Sequence, residues 1–373
     1  MGLIEGIGDY LIPFLVVLTI LVFVHEWGHF WVARRCGVRV QVFSVGFGPE
    51  LFGRTDRHGT RWKFSLIPLG GYVKMFGDAN AASMPDGSVQ QMTDDERAVS
   101  FFHKPLWKRA AIVAAGPMAN FLFAAIALAI LFAIYQHPFP PSTVGTVQEG
   151  SPAELAGIEP GDRIVAVDGR SVGRFSDLVV AVQSFDGEPL AIDLRRDGNP
   201  IELSITPALV EVDRGQGVIE VPRIGVSPDA GPYDVPRAIG MGVVETFALI
   251  GLTIDAIGEI IVGDRSTEEL GGPIRIAQMS GDVAQFGILA LVWFTALLSI
   301  NLGLINLLPV PVLDGGHLLF YAIEAVRGRP LGEKAQEVGF RLGVAFVLGL
   351  MIFATWNDLV QLDVVAWFQN LIS

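Results

Sequence analysis

His25, Glu26 and His29 sit in the string Val24-His25-Glu26-Trp27-Gly28-His29, and their spacing carries a specific chemistry. On a helix rising about 1.5 Å per residue, positions i and i+4 lie one turn apart on one face, so both imidazoles reach a common point. That point suits a tetrahedral zinc ion. Glu26 is placed to take a proton from a zinc-bound water rather than to bind the metal. The layout is that of a metalloprotease. A packed helix with hydrogen-bonded core histidines would share the spacing. Against it stand three ionisable groups in one apolar segment, where each charge costs about 2.5–3.5 kcal/mol to insert.

A second cluster lies far along the chain, in Asn306-Leu-Leu-Pro309-Val-Pro311-Val-Leu-Asp314-Gly315-Gly316-His317. Two prolines at this spacing cannot continue a regular helix, and the carbonyls they free are tolerated at membrane depth only where they line a protein cavity. Asp314 is the obvious third ligand. Two histidines and one carboxylate leave the fourth position open for water, which makes the site catalytic. His317 either approaches the metal from behind or belongs to a helix start that positions Asp314. His58, His103 and His137 fall in polar loops or at a span end and read as surface residues.

The elements that must hold these residues are membrane-spanning. With 373 residues, 51% apolar and 17% charged, the chain is too hydrophobic for an ordinary soluble enzyme. It reads as an α-helical polytopic membrane protein with a soluble insert. A formal net charge of -13 removes the basic footprint needed to hold a phosphate backbone, so nucleic acid is excluded as partner. Cys36 is the only cysteine, which excludes an internal disulfide and reads as a small apolar filler. The apolar run over residues 10–33 is long enough to span about 30 Å of hydrocarbon. It carries the motif and has no basic residue before it, so it is expected to stay in the mature protein rather than be cleaved as a signal peptide.

Four spans are expected, at about 10–33, 109–135, 286–308 and 339–361. Arg34, Arg35 and Arg39 follow the first, Lys104, Lys108 and Arg109 precede the second, and Arg327, Arg329, Lys334 and Arg341 lie between the last two. The N-terminus offers only Glu5 and Asp9, and Asp358 and Asp363 mark the far end. By the positive-inside rule the basic loops are cytoplasmic and both termini lie outside. Residues 40–75 alternate and break like a β-hairpin, and 77–100 read as a flexible connection. Small residues around Ala115-Gly116-Pro117 suit close helix packing, and Asn120 is expected to bond across to another helix.

From 141 to 228 the composition turns soluble. Short strands through Gly150-Ser151-Pro152-Ala153 and Pro160-Gly161-Asp162 resemble an α+β PDZ domain that ends near Pro207, with a strand-like tail to Ser227. Such a domain either adds a peptide to its sheet edge or acts as a steric gate. Residues 229–284 are expected to form an amphipathic region on the membrane surface, since Glu245, Asp255 and Glu259 interrupt the apolar stretch from Val235 to Gly263. The domain boundaries are therefore 1–140, 141–228, 229–284 and 285–373.

The motif pair, with Gly46-Phe47-Gly48, Pro68-Leu-Gly-Gly-Tyr-Val-Lys74, Ala114-Ala-Gly-Pro117, Gly271-Gly-Pro273 and the PDZ region, resembles the site-2 protease family of intramembrane zinc metalloproteases. The family's best-known members carry two PDZ domains in tandem, and this chain has room for one. The resemblance implies a zinc centre of His25, His29 and Asp314 with Glu26 as base. It implies that Asn306 holds substrate or the oxyanion, and that Gly46, Phe47 and Gly48 belong to a membrane-reentrant β-loop that pairs with unwound substrate. It further implies cleavage of a single-pass membrane protein, typically an anti-sigma factor already trimmed by an upstream protease, in a bacterial inner membrane with the PDZ domain periplasmic. Clearance of remnant signal peptides is an alternative role. Two readings of other classes are a zinc-dependent transporter, which the lack of an inverted repeat disfavours, and a catalytically inactive PDZ adaptor, which the intact Glu26 disfavours.

Overall fold

In a computed structural model, residues 3–78, 92–135, 141–213, 218–229, 232–264 and 271–361 are described. His137, Asp363 and much of the connection expected over 77–100 lie outside them. The chain divides into two compact units, Met1–Ile130 with Ile239–Ser373, and Leu131–Ala238.

The first unit opens with α1 (Leu3–Arg35), followed by an antiparallel hairpin of β1 (Val40–Thr55) and β2 (Arg61–Met75). Asp56 sets the hairpin turn: its Oδ1 accepts from the backbone amides of His58 and Thr60 at 2.8 and 3.0 Å. Its Oδ2 accepts from Arg34 at 3.1 Å, which ties the turn to the end of α1. Phe43 stacks on Trp62 at 4.4 Å between ring centroids, and Phe30 of α1 meets both rings edge-on. Farther along, Leu51, Phe52, Leu66 and Leu69 are exposed, an apolar face suited to lipid contact. Where the sequence suggests only a flexible connection, Asp94–Val99 forms a short helix, α2, closed by a reciprocal Thr93–Glu96 capping box.

α3 (Leu106–Ile134) and α8 (Ile288–Leu307) are continuous apolar helices. The expected break in the third span lies after Leu307, and α9 (Asp314–Arg327) begins at the carboxylate itself. Gly315 and Gly316 leave no room for a Cβ beside the carbonyls of Leu307, Leu308 and Val310, so the turn that delivers Asp314 demands glycine there. α10 (Glu333–Gln361) follows. A buried-side ion pair, Arg109 to Glu324 at 2.5 Å, fastens the start of α3 to α9.

One element departs from expectation. α6 (Val235–Val262) does not stand apart as a surface helix. Gly242 packs on Ala125 and Ala129 of α3, and the Thr253 hydroxyl bonds to Asn301 Oδ1 of α8 at 3.1 Å. Glu245, one of the charges that suggests a surface location, is buried. Helix α6 thereby joins α1, α3, α8 and α10 as a fifth helix, among the described residues, long and apolar enough to cross a membrane. The second helix of the region, α7 (Pro273–Gln285), packs on α1 through Gly281 and Tyr10.

The second unit holds a four-stranded sheet ordered β5-β4-β6-β7, built from Arg170–Ser171, Arg163–Val167, Leu190–Arg196 and Asn199–Ile205. It also holds α4 (Pro152–Leu155), α5 (Phe175–Gln183) and a hairpin of β8 (Ala208–Asp213) with β9 (Val218–Arg223). Ile164, Leu178, Ile192, Leu194 and Ile205 form its core. The domain does not end near Pro207. β10 (Val226–Pro228) returns to pair with β3 (Val144–Val147), and Ile224 is buried in the core, so the tail completes the PDZ fold. A pairing between segments some 80 residues apart leaves no trace in local periodicity.

Candidate metal centre

Helix periodicity places His25 and His29 on one face of α1, and α9 brings Asp314 to meet them. His25 Nε2 lies 3.2 Å from His29 Nε2 and 3.1 Å from Asp314 Oδ2, and His29 Nε2 lies 3.5 Å from the same oxygen. A tetrahedral ion held at about 2.0–2.1 Å separates its ligands by about 3.3 Å, so the three spacings are those of one ligand set. Asp314 Oδ2 is buried without a hydrogen-bond partner, an atom aimed where an ion would sit. Among the described residues these three form the group able to hold a metal.

The ligands are oriented from outside. His29 Nδ1 donates to the Ile112 carbonyl of α3 at 2.8 Å, which leaves Nε2 with the lone pair directed at the site. Both rings pack over Gly116: a Cβ there would overlap His29 and come within 2.9 Å of His25 Cε1. Gly28 packs equally closely on Ala115 and Ala119. The small residues that read as packing elements therefore set how deeply the histidines sit.

Glu26 is half-buried beside the ligands, and the Val73 amide of β2 is hydrogen-bonded to its carboxylate. A cavity of about 120 Å³ joins His25, Glu26, His29 and Asp314 to Val73, His317 and Tyr321. His317 thus shares the cavity, and Arg109 lies 5.0 Å from the ring of Tyr321. Ile112, Gly116, Val73 and Tyr321 escape sequence reading because each is an ordinary residue whose role comes from what it faces. The Ala114-Ala-Gly-Pro117 string was the one available signal for Gly116.

Asn306 is not brought to this cavity. Its Nδ2 donates to Leu302 O at 3.0 Å, within its own helix. Gly46 and Gly48 adopt φ of 90° and 86°, conformations that favour glycine, and a Cβ at Gly46 would press on the Ser65 and Ile67 carbonyls. Phe47 between them is 40% exposed and stacks with Tyr72 at 6.2 Å. β2 approaches the catalytic face of α1 at Gly71, where a Cβ would lie 3.0 Å from Val22 and 3.5 Å from Glu26.

In the PDZ unit a groove of about 350 Å³ runs between Phe175, Leu178 and Val182 of α5 and the segment from Arg223 to Ser227. Apolar side chains of α5 and polar groups such as Gln148, Gln183 and Arg223 line it together.

Comparison with known proteins bears on both units. The sequence profile of Peptidase family M50 matches residues 13–350. The Agrobacterium fabrum protein Atu1380, provisionally named a zinc metalloprotease, is 49% identical over 362 residues, covering 95% of this chain and 96% of its own. Protease RseP of Yersinia pestis is 35% identical over 456 residues, covering 94% and 98%. Among solved structures, the PDZ domain of an SdrC-like protein from Listeria innocua is 26% identical over 24% of this chain and 93% of its own, with a TM-score of 0.20.

Proposed function

Because this chain belongs to Peptidase family M50, the site-2 proteases, we propose that it is an intramembrane zinc metalloendopeptidase that cuts the spanning segment of single-pass membrane proteins. The enzyme is a metalloprotease integrated into the membrane. The observation that carries the finer reading is the meeting of His25, His29 and Asp314 in one cavity with Glu26, the ligands carried on helices of which α1 is apolar enough to span a bilayer.

His25, His29 and Asp314 would hold zinc. When bound, the ion polarises the scissile carbonyl and makes a water acidic enough to attack near neutral pH. Glu26 takes the proton of the attacking water and returns it to the leaving amine. The Val73 amide holds the Glu26 carboxylate in place for both transfers, and the Ile112 carbonyl fixes His29. A spanning substrate has its peptide groups hydrogen-bonded within its own helix, so cleavage requires local unwinding and a surface that takes over those bonds. The β1–β2 hairpin supports that role: Gly46, Phe47 and Gly48 offer backbone to an added strand, and β2 reaches Glu26.

The expected substrate is an anti-sigma-factor-type protein trimmed beforehand by another protease; leftover signal peptides meet the same chemical requirements. Basic residues flanking the spans support a bacterial inner-membrane location, with the metal site toward the cytoplasmic side and both termini and the PDZ unit periplasmic. The groove beside α5, lined by apolar and polar side chains together, supports peptide capture by the PDZ unit.

The test is cleavage of a tagged, pre-trimmed single-pass substrate by detergent-solubilised wild type and Glu26→Gln protein of equal zinc content. The variant is expected to lose about 10²–10⁴-fold in rate, the usual scale for a general base. Near-normal cleavage by Glu26→Gln would remove Glu26 from the mechanism. No product from zinc-loaded wild type would refute proteolysis.

A further inference from the structure

Two buried polar groups without partners lie on the packed helices α1 and α3. His25 Nδ1 is buried with no hydrogen-bond partner, and so are both polar atoms of the Asn120 carboxamide, on a residue with no exposed surface. Leaving such groups unpaired costs about 1–3 kcal/mol each by mutational data, more than a fold tolerates without use.

The register of α1 against α3 brings the two together. The helices run antiparallel: His29 bonds to Ile112, both imidazoles pack over Gly116, and Gly28 sits on Ala115 and Ala119. One turn back along α1, from His29 to His25, matches one turn forward along α3, from Gly116 to Asn120. Asn120 follows Gly116 by four residues and so lies on the same face. From the other side, Ser299 Oγ of α8 donates to the Asn120 carbonyl at 2.9 Å, which fixes the backbone from which the carboxamide projects.

The donor–acceptor inventory matches. A histidine that ligates through Nε2 carries its proton on Nδ1, where it must be donated. His29 has the Ile112 carbonyl for this, and His25 has no counterpart. Asn120 supplies an unpartnered acceptor oxygen on the turn of α3 that follows Gly116, the residue on which the His25 ring packs.

We propose that Asn120 is the positioning residue for His25: its Oδ1 accepts the Nδ1 proton, directly or through one water, and so fixes the tautomer and ring orientation of the ligand. This rests on the metal reading above in one respect, that His25 ligates through Nε2.

The experiment uses the full chain in detergent with zinc alone as probe. Zinc affinity is measured by competition with a chromophoric chelator for wild type, Asn120→Leu and Asn120→Asp, alongside thermal unfolding of the metal-free proteins. Asn120→Leu is expected to bind zinc about 10–100-fold more weakly, the usual cost of losing such a partner, with metal-free unfolding unchanged or raised. Asn120→Asp keeps the acceptor and is expected to hold zinc at least as tightly as wild type. Equal affinity of wild type and Asn120→Leu would overturn the proposal. Equal losses in Asn120→Leu and Asn120→Asp would also overturn it, because volume rather than the acceptor would then matter. If Asn120→Leu does not fold, ¹⁵N-histidine spectra of zinc-loaded wild type decide: a slowly exchanging His25 Nδ1 proton supports the assignment, and a rapidly exchanging one refutes it. Wild type that binds no zinc would strike down the metal reading itself, a distinct result.

Discussion

Replacing Gly116 by alanine adds one methyl group where the structure has least room for it. The new Cβ would overlap His29 and stand 2.9 Å from His25 Cε1, about 0.5 Å inside ordinary contact at 3.4 Å. Intrinsic helix propensity favours alanine over glycine by up to about 1 kcal/mol, so an unconstrained site would gain stability. Here the overlap dominates, because overpacking a filled interior costs about 1–3 kcal/mol and the rings can move only toward Asp314 or out of register with Ile112. Either shift disturbs ligand spacings that now fall between 3.1 and 3.5 Å. Displacement of reacting groups by about 1 Å costs on the order of 10² in rate. Gly116→Ala is therefore expected to insert and fold, to bind zinc at least about 10-fold more weakly, as for loss of an orienting partner, and to cleave about 10²-fold more slowly. The assay pairs chelator competition with cleavage of the pre-trimmed substrate, and thermal unfolding in detergent controls for integrity. Wild-type zinc affinity together with wild-type cleavage would refute the reasoning, since it would mean that α3 does not bear on the histidine rings.

Two further outcomes follow from polar groups away from the metal. In the PDZ unit, burial alone would push the Asp162 carboxyl up, but hydrogen bonds from Arg196 and the Glu159 amide, with the guanidinium charge, outweigh it and hold the group below the ordinary carboxylate range. The stability this contributes is complete above the unfolded-state pKa of about 3.9 and is lost as pH falls through the depressed folded value. Arg196→Ala should lower the unfolding midpoint at pH 7, because the Asp162 carboxylate loses its guanidinium partner, and the deficit should shrink on acidification; a pH-independent deficit would refute the pairing. In the membrane unit, Asp358 of α10 accepts from the amides of Gly272, Ile274 and Arg275 at 2.8, 3.1 and 3.1 Å and so caps α7. Asp358→Ala should cost about 1–3 kcal/mol and speed amide exchange at the start of α7; unchanged exchange there would refute the cap.

What could be read from the sequence was chemistry concentrated in short strings. The i, i+4 histidines, the adjacent glutamate and the Pro-Val-Pro break before Asp314 each impose a local geometry, and the structure assembles His25, His29 and Asp314 accordingly. The PDZ strands were legible for the same reason. Closure of that domain by β10 was not, because a strand that pairs across some 80 residues looks locally like a tail. Helix α6 was only partly legible from its charges: Asp255 and Glu259 are exposed as a wet face requires, yet Glu245 is buried and Thr253 bonds to α8. Asn306 shows the opposite limit. Its motif marks it for the site, but it lies outside the cavity of the metal ligands and gives one amide hydrogen to Leu302 of its own helix.

The supporting residues share a pattern that explains why they were silent. Each acts on the metal site through a backbone group or through the lack of a side chain: the Ile112 carbonyl on His29, the Val73 amide on Glu26, the empty Cα of Gly116 beneath both rings. Backbone groups carry no residue identity, so no sequence string can announce them. Their positions are set by long-range fastenings instead. Arg109 pairs with Glu324 to join α3 to the helix that begins at Asp314, and Asp358 caps α7, which packs along α1. The two ends of the ligand set are thus held by polar contacts between segments more than 80 residues apart. In a lipid environment, where apolar burial gives helices little reason to associate, such contacts and close small-residue packing are what remain to set the spacing of three ligands to a few tenths of an ångström.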